Sequence, residues 1–321
     1  MLIPVLWFLV GLVLLIKGGD WFVDGATGIA EKFHVPELII GATVVSIGTT
    51  LPEVMVSATS AVGGHGEIAY GNAIGSIICN TSLIAALTIA IRPAPVDPKT
   101  LKMPVIFFFL SAAVYCLTAY LTGYFSRLLG VGLLLIFAVY MFLTIRHGMK
   151  NPSAPAESEH EDKPSPMGKS VFLLVLGAAL IAVGANLLVN NGTLIAEALG
   201  VPESVIALTF VALGTSLPEL VTAITSLVKG HGALSLGNII GANIFNLVLV
   251  SGVSVVLAPF QIPQSSTIAG MNASLVLDIP LMLFVMAFMT LPALFKGKLY
   301  RFQGIALLLI YAAFCAIQFT M

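Results

Sequence analysis

The chain has 321 residues, 58% of them hydrophobic and only 9% charged, with a formal net charge of −1. A mean hydropathy of +1.05 excludes a water-soluble domain of this length and leaves a polytopic membrane protein. Apolar runs of about 20 residues, enough to span a bilayer, fall near 2–23, 36–61, 71–91, 103–121, 127–145, 169–189, 202–228, 234–258, 273–293 and 302–320. Ten transmembrane helices are therefore predicted.

The first run has no basic leader and no small-residue cleavage site, so it reads as a retained helix. The second carries Gly48-Thr49-Thr50-Leu51-Pro52-Glu53, and the third carries Gly71-Asn72-Ala73-Ile74-Gly75 followed by Asn80. The seventh and eighth repeat them as Gly214-Thr215-Ser216-Leu217-Pro218-Glu219 and Gly237-Asn238-Ile239-Ile240-Gly241 with Asn246, at an offset of 166 residues. From Gly11–Asn80 to Gly177–Asn246 the alignment is ungapped, with roughly 30 of about 70 positions identical. Five spans precede the second copy, and an odd number inserts it from the opposite face. The expected fold is thus an all-α membrane protein of ten helices in two inverted five-helix repeats, with broken helices at the midplane.

Residues 1–146 form the first repeat and 169–321 the second. The 147–168 connection, Pro- and Glu-rich over 151–166, reads as a cytoplasmic linker whose charges are solvated. Basic residues orient the chain. With the N-terminus outside, the inner connections hold Lys17, Lys32, Arg92, Lys99, Lys102, Arg146, Lys150, Lys163, Lys169, Lys229, Lys296, Lys298 and Arg301, leaving only Arg127 outside. Both termini are expected outside a cell inner membrane.

A carboxylate inside an apolar span costs roughly 2.5–3.5 kcal/mol on insertion scales, so Glu53 and Glu219 at matching places point to a cation site. Pro52 and Pro218 cannot donate to the carbonyls of Gly48 and Gly214, and each should interrupt its span. Thr49 and Thr215 stand one turn before the glutamates, and Ser76 one turn before Asn80. This all-oxygen donor set suits Na⁺, Ca²⁺ or Mg²⁺ rather than zinc or copper, and a compact cage favours calcium or sodium. The GxxxG spacings Gly71/Gly75 and Gly237/Gly241 should let helices approach closely. Asp20 and Asp24 near a span end are read as solvated, Asp278 as an interhelix hydrogen-bond partner, His65 and His231 as turn residues, and Cys79, Cys116 and Cys315 as packed thiols.

With these motifs in hand, the chain resembles the sodium/calcium exchangers of the cation/calcium antiporter superfamily, most closely the short prokaryotic members. The resemblance covers essentially the whole chain. It implies Glu53 and Glu219 as shared principal ligands with Asn80 and Asn246 beside them. Thr49, Thr50, Ser76, Thr215 and Ser216, with the carbonyls of Ser46 and Ala212, would contribute to flanking sodium sites. It departs from the family at Asn246, where many exchangers have Asp, at Ala242 in place of a common serine, and at Ile77 in place of a common asparagine. The implied function is a secondary antiporter exchanging Ca²⁺ for Na⁺ by alternating access, with H⁺/Ca²⁺ antiport as the alternative. A cation channel fits inverted repeats less well. No enzyme motif is present: the chain has neither HExxH nor GxSxG. The expected partners are Ca²⁺, Na⁺ or H⁺ and the lipid bilayer, with no cofactor, nucleic acid or obligatory protein partner.

Overall fold

The structure, a computed structural model, describes residues 2–93, 95–150, 166–198, 212–264 and 267–320. Helix α1 is Leu2–Phe33, α2 Glu37–Val62, α3 Gly66–Ile91, α4 Pro98–Thr122, α5 Arg127–Lys150 and α6 Met167–Ala198. After a single turn at Ala212–Thr215 come α7 Leu217–Val228, α8 Gly232–Leu257, α9 Ser274–Lys296 and α10 Arg301–Thr320. All of these except α7 are long and apolar enough to cross a membrane, nine among the described residues. The N-terminal part of the expected 202–228 span, and nearly all of the 151–166 linker, lie outside the described residues.

Helix ends follow from local chemistry. Asp97 caps α4 by accepting from the Lys99 and Thr100 amides at 3.1 and 3.3 Å, with Pro98 at the first helical position, where no amide partner is needed. Gly123 ends the same helix at φ 62°, in the left-handed region.

The chain does not break at Pro52 as its sequence suggests. Helix runs through it from Ser46 to Val62, because proline's φ is helical and only one hydrogen bond is lost. At Pro218 the break is real: Ser216 sits at φ −88°, ψ 4°, and α7 restarts with proline in its first turn. The other irregularities are π-helical turns, at Gly41–Val45 in α2, Asn80–Ala85 in α3, Asn246–Val250 in α8 and Ser274–Asp278 in α9. Such turns displace main-chain carbonyls, and side-chain hydroxyls take them up. Ser46 Oγ donates to Gly41 O at 2.8 Å, Ser251 Oγ to Asn246 O at 2.9 Å, and Tyr140 OH on α5 to Ala42 O at 2.9 Å.

Glycine sets the packing. A Cβ on Gly11 would lie 2.8 Å from the Gly184 carbonyl oxygen, and one on Gly177 2.8 Å from that of Gly18. Low numbers on α1 thus meet high numbers on α6, so these two helices, which repeat each other in sequence, run antiparallel. Across α2 and α8, a Cβ on Gly41 would stand 2.8 Å from the Asn238 amide, and one on Gly241 2.6 Å from Ala42 Cα. The Gly237/Gly241 spacing therefore does bring backbones together, whereas Gly71 and Gly75 meet none of the described residues. Helices α8 and α3 are the most enclosed, with 83% and 72% of their most apolar windows buried against 22% for α1.

The connections sort into two ends. At one, Lys229 after α7 reaches Asp24 at 2.7 Å and Asp20 at 3.7 Å on α1. His231 Nδ1 there meets Glu37 Oε1 at 2.7 Å, and Pro95 bridges to Lys298. At the other, strands β1 (Tyr124–Phe125) and β2 (Phe260–Gln261) pair antiparallel, and Glu67 accepts from the Gln264 amide at 3.1 Å. A further hairpin pairs β3 (Thr267–Ile268) with β4 (Met271–Asn272), so the helical fold carries four two-residue strands. Asp20 and Asp24 are ion-paired and His231 is joined to Glu37, rather than merely solvated or turn-forming. Asp278 accepts from Gln318 at 3.0 Å, the interhelix bond expected of it, and all three cysteines are free thiols.

The hydrogen bond to Glu37 raises the His231 pKa above its ordinary value near 6.5, against the opposing effect of burial. A raised folded-state value means the pair stabilises fully below about pH 6.5 and loses that contribution as pH rises through the folded value. The pair is about one-third exposed, so its contribution is below about 1 kcal/mol. The thermal-stability difference between wild type and His231→Gln in detergent should shrink between about pH 6 and pH 9. A difference that does not change with pH would contradict the pairing.

Candidate cation site

Glu53 on α2 and Glu219 on α7 are both fully buried, and all four of their carboxylate oxygens lack a hydrogen-bond partner among the described residues. The two lie close enough for their charges to repel. Unpaired buried carboxylates cost several kcal/mol each, a cost that a bound cation offsets.

Asn80 and Asn246 lie in turns that pack on the helices carrying this pair. Each is 0% exposed, each opens a π-helical turn, and neither amide group has a protein partner. The Asn80 turn packs on α7, which carries Glu219, and the Asn246 turn packs on α2, which carries Glu53. Single π-helical turns inside α-helices are frequent at functional sites. Thr50 and Ser216, equivalent in the two repeats, are buried with unpartnered hydroxyls, and Thr50 faces Glu219 together with Thr49. Ser216 also neighbours Cys79, whose thiol lies near Glu219.

Thr49 and Thr215 are engaged differently. Their hydroxyls donate to Asn238 Oδ1 at 3.1 Å and to Asn72 Oδ1 at 3.3 Å. Although Thr49 lies near Glu219, its hydrogen bond goes to the amide. Ser76 is buried one turn before Asn80. Ser46 enters through its hydroxyl, whose one proton goes to Gly41 O at 2.8 Å with Asn238 O a further contact at 3.0 Å, and Ala212 opens the turn that leads to the Ser216 break. Asn72 and Asn238 were not singled out from the sequence as site residues. The signal was there, in the repeated Gly-Asn of α3 and α8. Between Phe22, Gly48, Thr49, Ala178, Ile181 and Pro218 lies a cavity of about 10 Å³, room for one water-sized particle, joining the α1/α6 pair to the site.

The profile of the family described as sodium/calcium exchanger protein matches residues 3–146 and 169–320. The chain belongs to the sodium/calcium exchanger family. It is similar to the sodium/calcium exchanger MaX1 of Methanosarcina acetivorans, 29% identical over 97% of each chain. It is also similar to the membrane protein MJ0091 of Methanocaldococcus jannaschii, 41% identical over 75% of this chain and 78% of that one. Among solved structures, the sodium-calcium exchanger NCX_Mj soaked with 2.5 mM Na⁺ and 0.1 mM Ca²⁺ superposes with a TM-score of 0.80 at 34% identity, covering 98% of both chains. The protein is therefore a multi-pass membrane protein of a cation/Ca²⁺ antiporter family. That family consists of transporters, and its chemistry is the binding and release of ions.

A unit charge about 4 Å from an ion is worth about 4 kcal/mol at an effective dielectric of 20. Glu53→Gln or Glu219→Gln should thus weaken ⁴⁵Ca²⁺ binding in detergent by at least about 100-fold while the protein stays monodisperse. Binding within threefold of wild type in either variant would remove that glutamate from the site.

Proposed function

We propose that this exchanger extrudes Ca²⁺ in return for Na⁺ by alternating access, using one central site shared by the two repeats. The observation that carries the proposal is the pair of neighbouring buried carboxylates with no hydrogen-bond partner among the described residues, Glu53 and Glu219. Two formal negative charges neutralise one Ca²⁺, or accept Na⁺ ions, and either cargo excludes the other. Counterflow is then obligatory.

Glu53, Glu219, Asn80 and Asn246 hold Ca²⁺ in this reading. The hydroxyls of Thr49, Thr50, Ser76, Thr215 and Ser216, with the carbonyls of Ser46 and Ala212, extend the cage to flanking sodium positions. Two features support sodium as counter-ion: the unpartnered hydroxyls of Thr50 and Ser216, and an amide at 246, which cannot take part in proton exchange. The antiparallel glycine seam of α1 and α6 supports their moving as one body across the core, past the cavity that reaches Thr49. The ten helices are taken as two inverted repeats, 1–146 and 169–321, joined by a cytoplasmic linker.

An outward Na⁺ gradient at fixed pH should drive ⁴⁵Ca²⁺ uptake into proteoliposomes. Thr49→Val with Thr215→Val should raise the half-saturating Na⁺ about tenfold and that of Ca²⁺ much less. Uptake driven by a pH gradient and indifferent to Na⁺ would reassign the chain as a proton/calcium antiporter.

Thirteen of the fourteen Lys and Arg residues fall on one side if both termini lie outside the inner membrane. A C-terminal alkaline phosphatase fusion should accordingly be active and a green fluorescent protein fusion dark. The reverse pattern would invert the orientation.

A further inference from the structure

Asn72 on α3 and Asn238 on α8 stand at equivalent places in the two repeats, 166 residues apart. Each accepts a hydrogen bond from the threonine of the opposite repeat, Asn72 from Thr215 and Asn238 from Thr49, at 3.3 and 3.1 Å. The Asn72 amide has one permitted orientation. Its Nδ2 donates to Ser57 Oγ at 2.8 Å and to the Glu53 carbonyl oxygen at 3.3 Å, and a carbonyl oxygen accepts only. The Asn238 oxygen takes the equivalent bond in a fully buried position, with Ser46 Oγ a further 3.3 Å contact.

A hydroxyl has one proton and two lone pairs. With the proton committed to an amide oxygen, the lone pairs remain for a cation. Without the amide, Thr49, which faces Glu219, would turn its proton to that carboxylate and compete with the cargo for it. We infer that Asn72 and Asn238 are positioning residues, which draw the hydroxyl protons of Thr215 and Thr49 away from the carboxylates and so make both threonines cation ligands. Because each pair joins an asparagine of one repeat to a threonine of the other, the same bonds couple the two halves at the site. The identity of the cation they serve rests on the Na⁺/Ca²⁺ reading above.

A double-mutant cycle on half-saturating Na⁺ for ⁴⁵Ca²⁺ uptake separates positioning from packing. Asn238→Leu, which keeps the size and removes the acceptor, should raise that concentration about tenfold in wild type and less than about twofold in a Thr49→Val background. The same tenfold rise in the Thr49→Val background would overturn the inference. Asn238→Ala replaces Asn238→Leu if the latter does not fold. If wild-type uptake ignores Na⁺, the sodium reading fails. The cycle is then scored by the same criteria on half-saturating Ca²⁺ in Ca²⁺/Ca²⁺ exchange, and still decides the role of Asn238.

Discussion

Two acidic groups buried near enough to repel, with no hydrogen-bond partner among the described residues, form the constraint on which the rest of this molecule depends. A chain that buries Glu53 and Glu219 as carboxylates gives up several kcal/mol unless a cation or protons neutralise them. The surrounding structure is arranged to keep competing donors off the carboxylates. The nearby threonine protons go to asparagine oxygens, the serine hydroxyls go to carbonyls displaced by π turns, and the asparagine amides at 80 and 246 are left without protein partners. The groups left over are chiefly oxygens and amides, the donor class that hard cations prefer.

Glycine makes the arrangement physically possible. Lipid gives helices little hydrophobic reason to associate, so close backbone approach and interhelical hydrogen bonds must hold them. The α2–α8 crossing, where Gly41 and Gly241 leave no space for a Cβ, brings Ser46 and Thr49 within reach of Asn238. The α1–α6 seam is equally tight but lies at the periphery. The two ends of the molecule are not equivalent. Lys229 ties α1 to the α7–α8 connection through Asp20 and Asp24, whereas the repeat-related positions hold Gly63, Asn186 and Asn190, which cannot form such pairs.

Much of the site is legible in the sequence because duplication displays it twice. Glu53, Asn80 and Thr49 stand out because Glu219, Asn246 and Thr215 recur at one offset, in surroundings where polar residues are costly. The role of Asn72 and Asn238 is not legible in that way. Their contacts run between repeats, so the partner of each lies on a helix that no linear spacing connects to it. The π turns also escape a sequence reading, since an i to i−5 bond leaves no distinct residue pattern. At Pro52 sequence chemistry misleads, because losing one donor does not break a helix whose neighbours keep its direction, while the identical Pro218 does sit at a break. Asp20 and Asp24 look solvated until the fold brings Lys229 across to them.

The central claim is that the cargo cation sits between Glu53 and Glu219. Crystals of the protein grown with Sr²⁺, an anomalous scatterer that stands in for Ca²⁺, test it most directly. The account predicts one dominant anomalous peak within coordination distance of both carboxylates and of the Asn80 and Asn246 side chains. A dominant peak elsewhere, such as among Asp20, Asp24 and Glu37, with none between the two glutamates, would contradict it.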